Sequence, residues 1–103
     1  MKFRHIIIVF LFVFFNTHLK SDEIFNKGKN IFLNSGNCAT CHSLKDAGSV
    51  STVGPSLNDV RPDIGRVKHA IVNGVGVMPS ALGVLSEDEI DAVAYYVSKS
   101  SND

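Results

Sequence analysis

Apolar positions fall into four blocks along the 103-residue chain. The first is an unbroken run from Ile6 to Phe15, preceded by Lys2 and Arg4 and followed by a polar stretch from Asn16. The second is periodic. Ile24, Phe25, Ile31 and Phe32, with Gly28 in the same stripe, recur close to a helical period and predict an amphipathic helix from Asp22 to about Ser35. Ser35-Gly36-Asn37 ends it. Periodicity then disappears through Lys45 to Thr52, which reads as a loop running to Gly54-Pro55-Ser56-Leu57. A third block opens near Pro62, with Asp63 in its first turn, a buried stripe of Ile64, Val67 and Ile71, and Asn73-Gly74 closing the helix. The glycine-punctuated loop Val75-Gly76-Val77-Met78-Pro79 follows. The fourth block is the most fully signalled: Ser86 and Glu89 form an S-x-x-E capping box. Glu87, Asp88 and Glu89 suit the positive start of a helix, and Ile90, Val93, Ala94 and Val97 mark one apolar face. Tyr95 and Tyr96 flank that face. Tyr96 is expected where the last helix crosses the first, a crossing that small Gly28 would allow to be close. The pattern predicts an all-α chain with three main helices.

The first block has the layout of a secretory signal peptide: a basic start, a short apolar run and a polar end. Ten apolar residues fall short of the roughly 20 that span a bilayer, so an uncleaved anchor is the alternative and not the leading reading. No A-x-A marks the cut, which is placed after Ser21 with Leu19 two residues before it. Residues 1–21 are then the leader and residues 22–103 the exported domain, with no stable membrane insertion once the leader is removed.

That division changes the charge picture. The whole chain is neutral, but residues 22–103 carry seven basic and ten acidic side chains, a net charge of −3. No basic face for nucleic acid is present. The 82 residues make one domain, small for a self-sufficient core, and chains of this size usually lean on disulfides, a metal or a cofactor.

Cys38-Ala39-Thr40-Cys41-His42 supplies the missing centre. C-x-x-C-H is the sequence at which a c-type haem is covalently attached: each thiol adds to one vinyl group of the porphyrin, and the adjacent imidazole is tethered beneath the iron. A structural disulfide, a thioredoxin-like redox pair and half of a zinc site are the competing readings. Zinc needs about four ligands, and the rest of the chain offers only His5, His18 and His69. A thioredoxin-like site needs a strand-helix-strand context that the pattern lacks. Export fits haem, because in bacteria c-type haem is attached outside the cytoplasm. A proximal histidine also needs its second ring nitrogen bonded to a carbonyl, which a rigid loop around Pro55 would present. Met78 is the one methionine left after removal of the leader. A lone methionine ordinarily fills a gap in a core, but a haem iron needs a sixth ligand.

Together these pieces resemble the class I cytochrome c family, in particular the small bacterial monohaem carriers. The resemblance rests on Gly28-x-x-x-Phe32, Cys38-x-x-Cys41-His42, Gly54-Pro55-x-Leu57, Met78-Pro79 and Ile90-x-x-Val93-Ala94-x-Tyr96-Val97, in family order across residues 24–99. It implies the small class I fold, three main helices and loops wrapped around one haem c bound through Cys38 and Cys41. It implies His42 and Met78 as the axial metal ligands, Pro55 as the carbonyl partner of His42, and Gly28, Phe32 and Tyr96 as the contact between terminal helices. There are departures: the chain has no tryptophan and no dense lysine patch, so neither a basic docking surface nor a particular bond to the haem propionates carries over.

The function expected is a monomeric periplasmic electron carrier, not an enzyme, exchanging electrons with donor and acceptor proteins. A His/Met pair leaves no open iron site and raises the potential. The alternatives are a dedicated cytochrome subunit of an oxidoreductase and, further off, a haem peroxidase or gas-binding protein. His69 is the competing sixth ligand. At about 100° per residue it points roughly 165° away from the stripe of Ile64, Val67 and Ile71, and is expected to face water.

Overall fold

The computed structural model describes residues 19–103, so the expected leader lies outside the described residues up to position 18. Helix α1 occupies residues 19–33, and helical structure therefore already includes the three residues before the expected cut. A single 3-10 turn, Cys38–Thr40, carries the cysteine motif. Three further helices follow: α2, Leu57–Val60; α3, Ile64–Asn73; and α4, Glu87–Ser100. Among the described residues there is no strand, only three isolated bridges in tight turns. The chain has the small all-α fold expected, with α2 as an addition that a four-residue segment without periodicity did not announce.

α1 and α4 cross where the sequence placed the contact. A Cβ on Gly28 would collide with the carbonyl oxygen of Ala92, and would lie 2.5 Å from Cβ of Tyr96. Only glycine admits this approach. Around it, Phe25 and Phe32 pack edge-on against the Tyr96 ring, with centroids 4.9 and 5.8 Å away. Such pairs add about 0.5–1.5 kcal/mol each beyond the area they bury. Tyr96 is fully buried, and its hydroxyl donates to Oδ2 of Asp46 at 2.7 Å; Nζ of Lys29 lies 3.4 Å from the same oxygen. Burial first, and the Asp46 bond second, push the Tyr96 pKa well above its ordinary value, so the phenol remains a donor. One tyrosine thus ties α1, α4 and the loop after the cysteine motif together.

The capping box at the start of α4 is complete. Ser86 Oγ accepts from the Glu89 amide at 3.2 Å and the Glu89 carboxylate accepts from the Ser86 amide at 2.9 Å. Ile90, Val93, Ala94 and Val97 are all buried.

α3 packs against α4 with Val67 and Ile71 buried, but Ile64 is 44% exposed. The expected stripe therefore starts one turn late. Asp63 is the N-cap, its carboxylate accepting from the Arg66 amide at 2.8 Å, so Ile64 is the first residue of the helix and projects beyond the core. Gly74 ends α3 at φ 74°.

Candidate haem site

α1, α3, α4 and their connecting loops surround a cleft of about 600 Å³. Small-molecule and cofactor sites span roughly 300–1,000 Å³. Phe32 from α1, Val67 and Ile71 from α3, Leu85, and Val93 and Val97 from α4 supply its apolar walls. Cys38, Cys41, His42, Pro55 and Met78 all line it. The structure thus gathers every site residue expected from the sequence at one cleft.

The cysteine motif is delivered by the end of α1. The Gly36 amide donates to the Ile31 carbonyl at 2.7 Å, and Asn37 takes a left-handed conformation at φ 57° before the 3-10 turn begins. A side chain at Gly36 would sit 2.9 Å from that carbonyl oxygen and 3.2 Å from Sγ of Cys38. The two cysteines are free thiols, not a disulfide. Burial pushes the Cys38 thiol up to about 11. Thioredoxin-like chemistry requires the opposite, a lowered thiol pKa, so that reading fails on electrostatics as well as on fold. Among the described residues no three His, Cys, Asp or Glu side chains form a metal-holding group, which leaves the zinc reading without a donor set.

His42 is positioned by backbone bonds on either side of it. The Gly54 amide donates to the Cys41 carbonyl at 2.7 Å and the Leu57 amide donates to the Ser43 carbonyl at 3.1 Å. Between those two bonds lies Pro55, whose carbonyl oxygen is 2.8 Å from Nδ1 of His42. Nδ1 must carry the proton to bond a carbonyl, so the lone pair is on Nε2, the nitrogen free to bind a metal. Gly54 adds a contact that the sequence did not disclose: a Cβ there would come within 2.7 Å of Cε1 of His42. Pro55 was expected as the carbonyl partner of His42, but Gly54 was given no role against the ring, because ring packing between positions 12 apart leaves no local pattern.

Met78 is placed by a tight turn. The Val75 amide donates to the Met78 carbonyl at 3.1 Å and the Met78 amide to the Val75 carbonyl at 2.8 Å, with Gly76 at φ 55°. The chain beyond Pro79 is pinned to the end of α3. Ser80 Oγ donates to the Val72 carbonyl at 2.6 Å, and the Ala81 amide to the Ile71 carbonyl at 2.8 Å. The thioether is thereby presented from a loop fixed at both ends. His69 lies elsewhere. It is exposed, its Nδ1 is 3.2 Å from Nδ2 of Asn73, and it does not line the cleft. Val53, Val75, Val77 and Val84 line the cleft while remaining largely exposed, Val77 at 96%. They form an apolar rim that the periodicity argument had no means of finding.

An apolar slot, paired unbridged cysteines and a histidine with Nε2 left free fit a c-type haem, and define a haem-binding domain. Comparison with known proteins identifies the family. Residues 23–97 match the family described as "Cytochrome C oxidase, cbb3-type, subunit III". Cytochrome c6 of Euglena gracilis is 42% identical over 78 residues, covering 68% of this chain and 85% of that protein. Cytochrome c6 of a Synechocystis strain is 33% identical over 90 residues, covering 80% and 68% respectively. The crystal structure of the c-type cytochrome SorU from Sinorhizobium meliloti superimposes with a TM-score of 0.74 at 44% identity, covering 78% of this chain and 93% of that one. The chain belongs to the class I cytochrome c family, and is a cytochrome c6-like electron carrier with one covalently bound haem c.

Proposed function

We propose that this cytochrome is exported and works as a free periplasmic carrier, with Cys38 and Cys41 as the thioether attachment points and His42 and Met78 as axial ligands. The observation that carries the reading is the shared cleft. The two candidate ligands line the same apolar space as both cysteines, and Pro55 holds His42 with Nε2 available. When bound, haem supplies a one-electron couple between ferric and ferrous iron. The protein's part is to keep both ligands fixed, so that little rearranges as the charge changes. The backbone bonds flanking Pro55 do this for His42, and the turn pinned to α3 does it for Met78. The apolar walls exclude water and the methionine thioether favours the reduced metal, both of which raise the potential.

Redox partners approach at the apolar rim of Val53, Val75, Val77 and Val84, on a contact of the small kind usual for electron transfer, below roughly 1,200 Å². No helix among the described residues is long and apolar enough to cross a membrane. Residues 1–21 act as a leader that is removed, and the domain of residues 22–103 is a monomer. The match to an oxidase subunit family keeps the dedicated-subunit reading in view. Similarity to cytochrome c6 of Euglena gracilis, over 85% of that protein, supports the carrier. A peroxidase or gas-binding protein would need an open sixth position, which Met78 would fill when haem is bound.

The test is the purified periplasmic protein. Its intact mass should equal residues 22–103 plus one haem, and its ferric spectrum should show the weak red-edge band of sulfur-to-iron charge transfer. Haem that extracts into acidified organic solvent, or a spectrum without that band, overturns the attachment or the ligation respectively. Recovery only in a complex with an oxidoreductase overturns the free-carrier assignment.

A further inference from the structure

Among the described residues that line the cleft, Arg66 has the single charged side chain. It lies in the first turn of α3, where positions 66, 67, 70 and 71 share the face turned to the cleft. Its backbone amide is spent on the Asp63 cap, but its guanidinium enters no ion pair among the described residues. The neighbouring charges are otherwise engaged or directed elsewhere. Lys68, on the other side of the same helix, binds Asp91 at 2.7 Å. Arg61 Nε donates to the Asn58 carbonyl at 3.2 Å, and neither Asp59 nor Asp63 lines the cleft. The other titratable groups of the lining, Cys38, Cys41 and His42, are all assigned to attachment and ligation.

The cofactor proposed for this cleft brings two carboxylates. Thioether attachment fixes the vinyl edge of the macrocycle at Cys38 and Cys41, which puts the propionates on the far edge. A carboxylate against apolar walls is costly unless it is paired or reaches water. A guanidinium matches it in geometry, offering two parallel N–H donors, and its long stem keeps the charge at the cleft edge.

We propose that Arg66, an exposed residue at the start of α3 that lines the cleft, is the counter-ion of a haem propionate. The assignment rests on the haem-carrier reading above and extends it to a residue that neither the motif nor the family pattern marked. Arg66 is here a binding residue: it neutralises one propionate and keeps it ionised.

The experiment measures midpoint potential against pH for the holoprotein and for Arg66→Gln, Arg66→Lys and Lys68→Gln. A propionate is more acidic beside ferric than beside ferrous haem, so between its two pKa values the potential falls as pH rises. Arg66 holds that falling segment at low pH. Arg66→Gln should move it up by about 1 unit or more and lower the potential at neutral pH, where an unneutralised propionate favours ferric iron. Arg66→Lys should retain most of the wild-type profile, and Lys68→Gln should leave it unchanged. Intact mass and the red-edge band verify attachment and ligation in every variant, so loss of either in the wild type condemns the carrier reading and not this one. With both present, an Arg66→Gln profile that coincides with wild type overturns the propionate assignment. So does a Lys68→Gln shift of equal size, which would show only a general charge effect.

Discussion

Nδ1 of His42 lies 2.8 Å from the carbonyl oxygen of Pro55, and Cα of Gly54, the residue before, faces the same imidazole ring. One dipeptide therefore sets both the tautomer and the tilt of the histidine. Proline suits this place: it has no amide hydrogen to satisfy, and its fixed φ reduces the freedom of the loop that carries the carbonyl.

Gly54→Ala would place a methyl group 2.7 Å from Cε1 and 2.9 Å from Nδ1 of His42. Either the ring or the loop must move, and overpacking of this kind costs about 1–3 kcal/mol. The expected outcome is a holoprotein with lower Tm and a weakened His42–iron bond, measured by thermal melting and by the hyperfine-shifted His42 ring resonances in the ferric NMR spectrum. Unchanged resonances would show that the glycine serves only the turn.

Gly28→Ala tests the helix crossing. Alanine gains about 1 kcal/mol of helix propensity over glycine, but its Cβ would run into the Ala92 carbonyl oxygen and sit 2.5 Å from Tyr96 Cβ. Backbone atoms, and a Cβ fixed to the backbone, cannot step aside by changing rotamer, so the clash outweighs the propensity and the variant should be destabilised. Gly65→Ala is the control: its nearest neighbour would be a carboxylate oxygen of Asp63 at 3.5 Å. There the propensity gain of about 0.5–1 kcal/mol should survive. Denaturant midpoints that move the same way in both variants would contradict the close crossing.

The crossing and the capping box were legible because each is written locally, Gly28 within a helical stripe and Ser86-x-x-Glu89 ahead of an apolar face. The five-residue cysteine motif is likewise self-contained. What escaped depends on partners distant in sequence. Asp46 meets Tyr96 50 positions away, Gly54 meets His42, and neither leaves a periodic trace. Ile64 was misplaced for a different reason: periodicity gives the phase of a face, while the position of the cap decides how far the face extends. With Asp63 as the cap, Ile64 falls outside the packed turns.

The capping box makes a prediction about pH. Hydrogen bonds from Ser86, the backbone one first, hold the Glu89 carboxyl below its ordinary value of 4.5. A carboxyl lowered by folding stabilises the native state above its unfolded value, and that contribution is lost as pH falls through the folded value. Glu89→Ala should thus be less stable than wild type at pH 7, and the gap should close below about 4.5. Ser86→Ala removes the reciprocal bond and should cost about 1 kcal/mol at neutral pH. Chemical denaturation at pH 7 and below pH 4 measures both; a gap independent of pH would separate Glu89 from the cap.

The proposal that Met78, and not His69, is the sixth ligand rests on where the two side chains stand. Met78 lines the cleft from a turn closed by two backbone bonds and pinned to α3 beyond Pro79, whereas His69 is exposed and engaged with Asn73. For His69 to reach the cleft, α3 would have to rotate by roughly half a turn, which would bring out Val67 and Ile71, both now buried. Burying side chains of this kind is worth roughly 1.5–3 kcal/mol each, so the rotation is strongly opposed. Met78→Ala should accordingly open the iron, let the ferrous protein bind carbon monoxide, abolish the red-edge band and lower the reduction potential. His69→Ala should leave all of these as in wild type. Carbon monoxide binding by His69→Ala, with Met78→Ala remaining closed, would require α3 to present its other face and would overturn the ligand assignment.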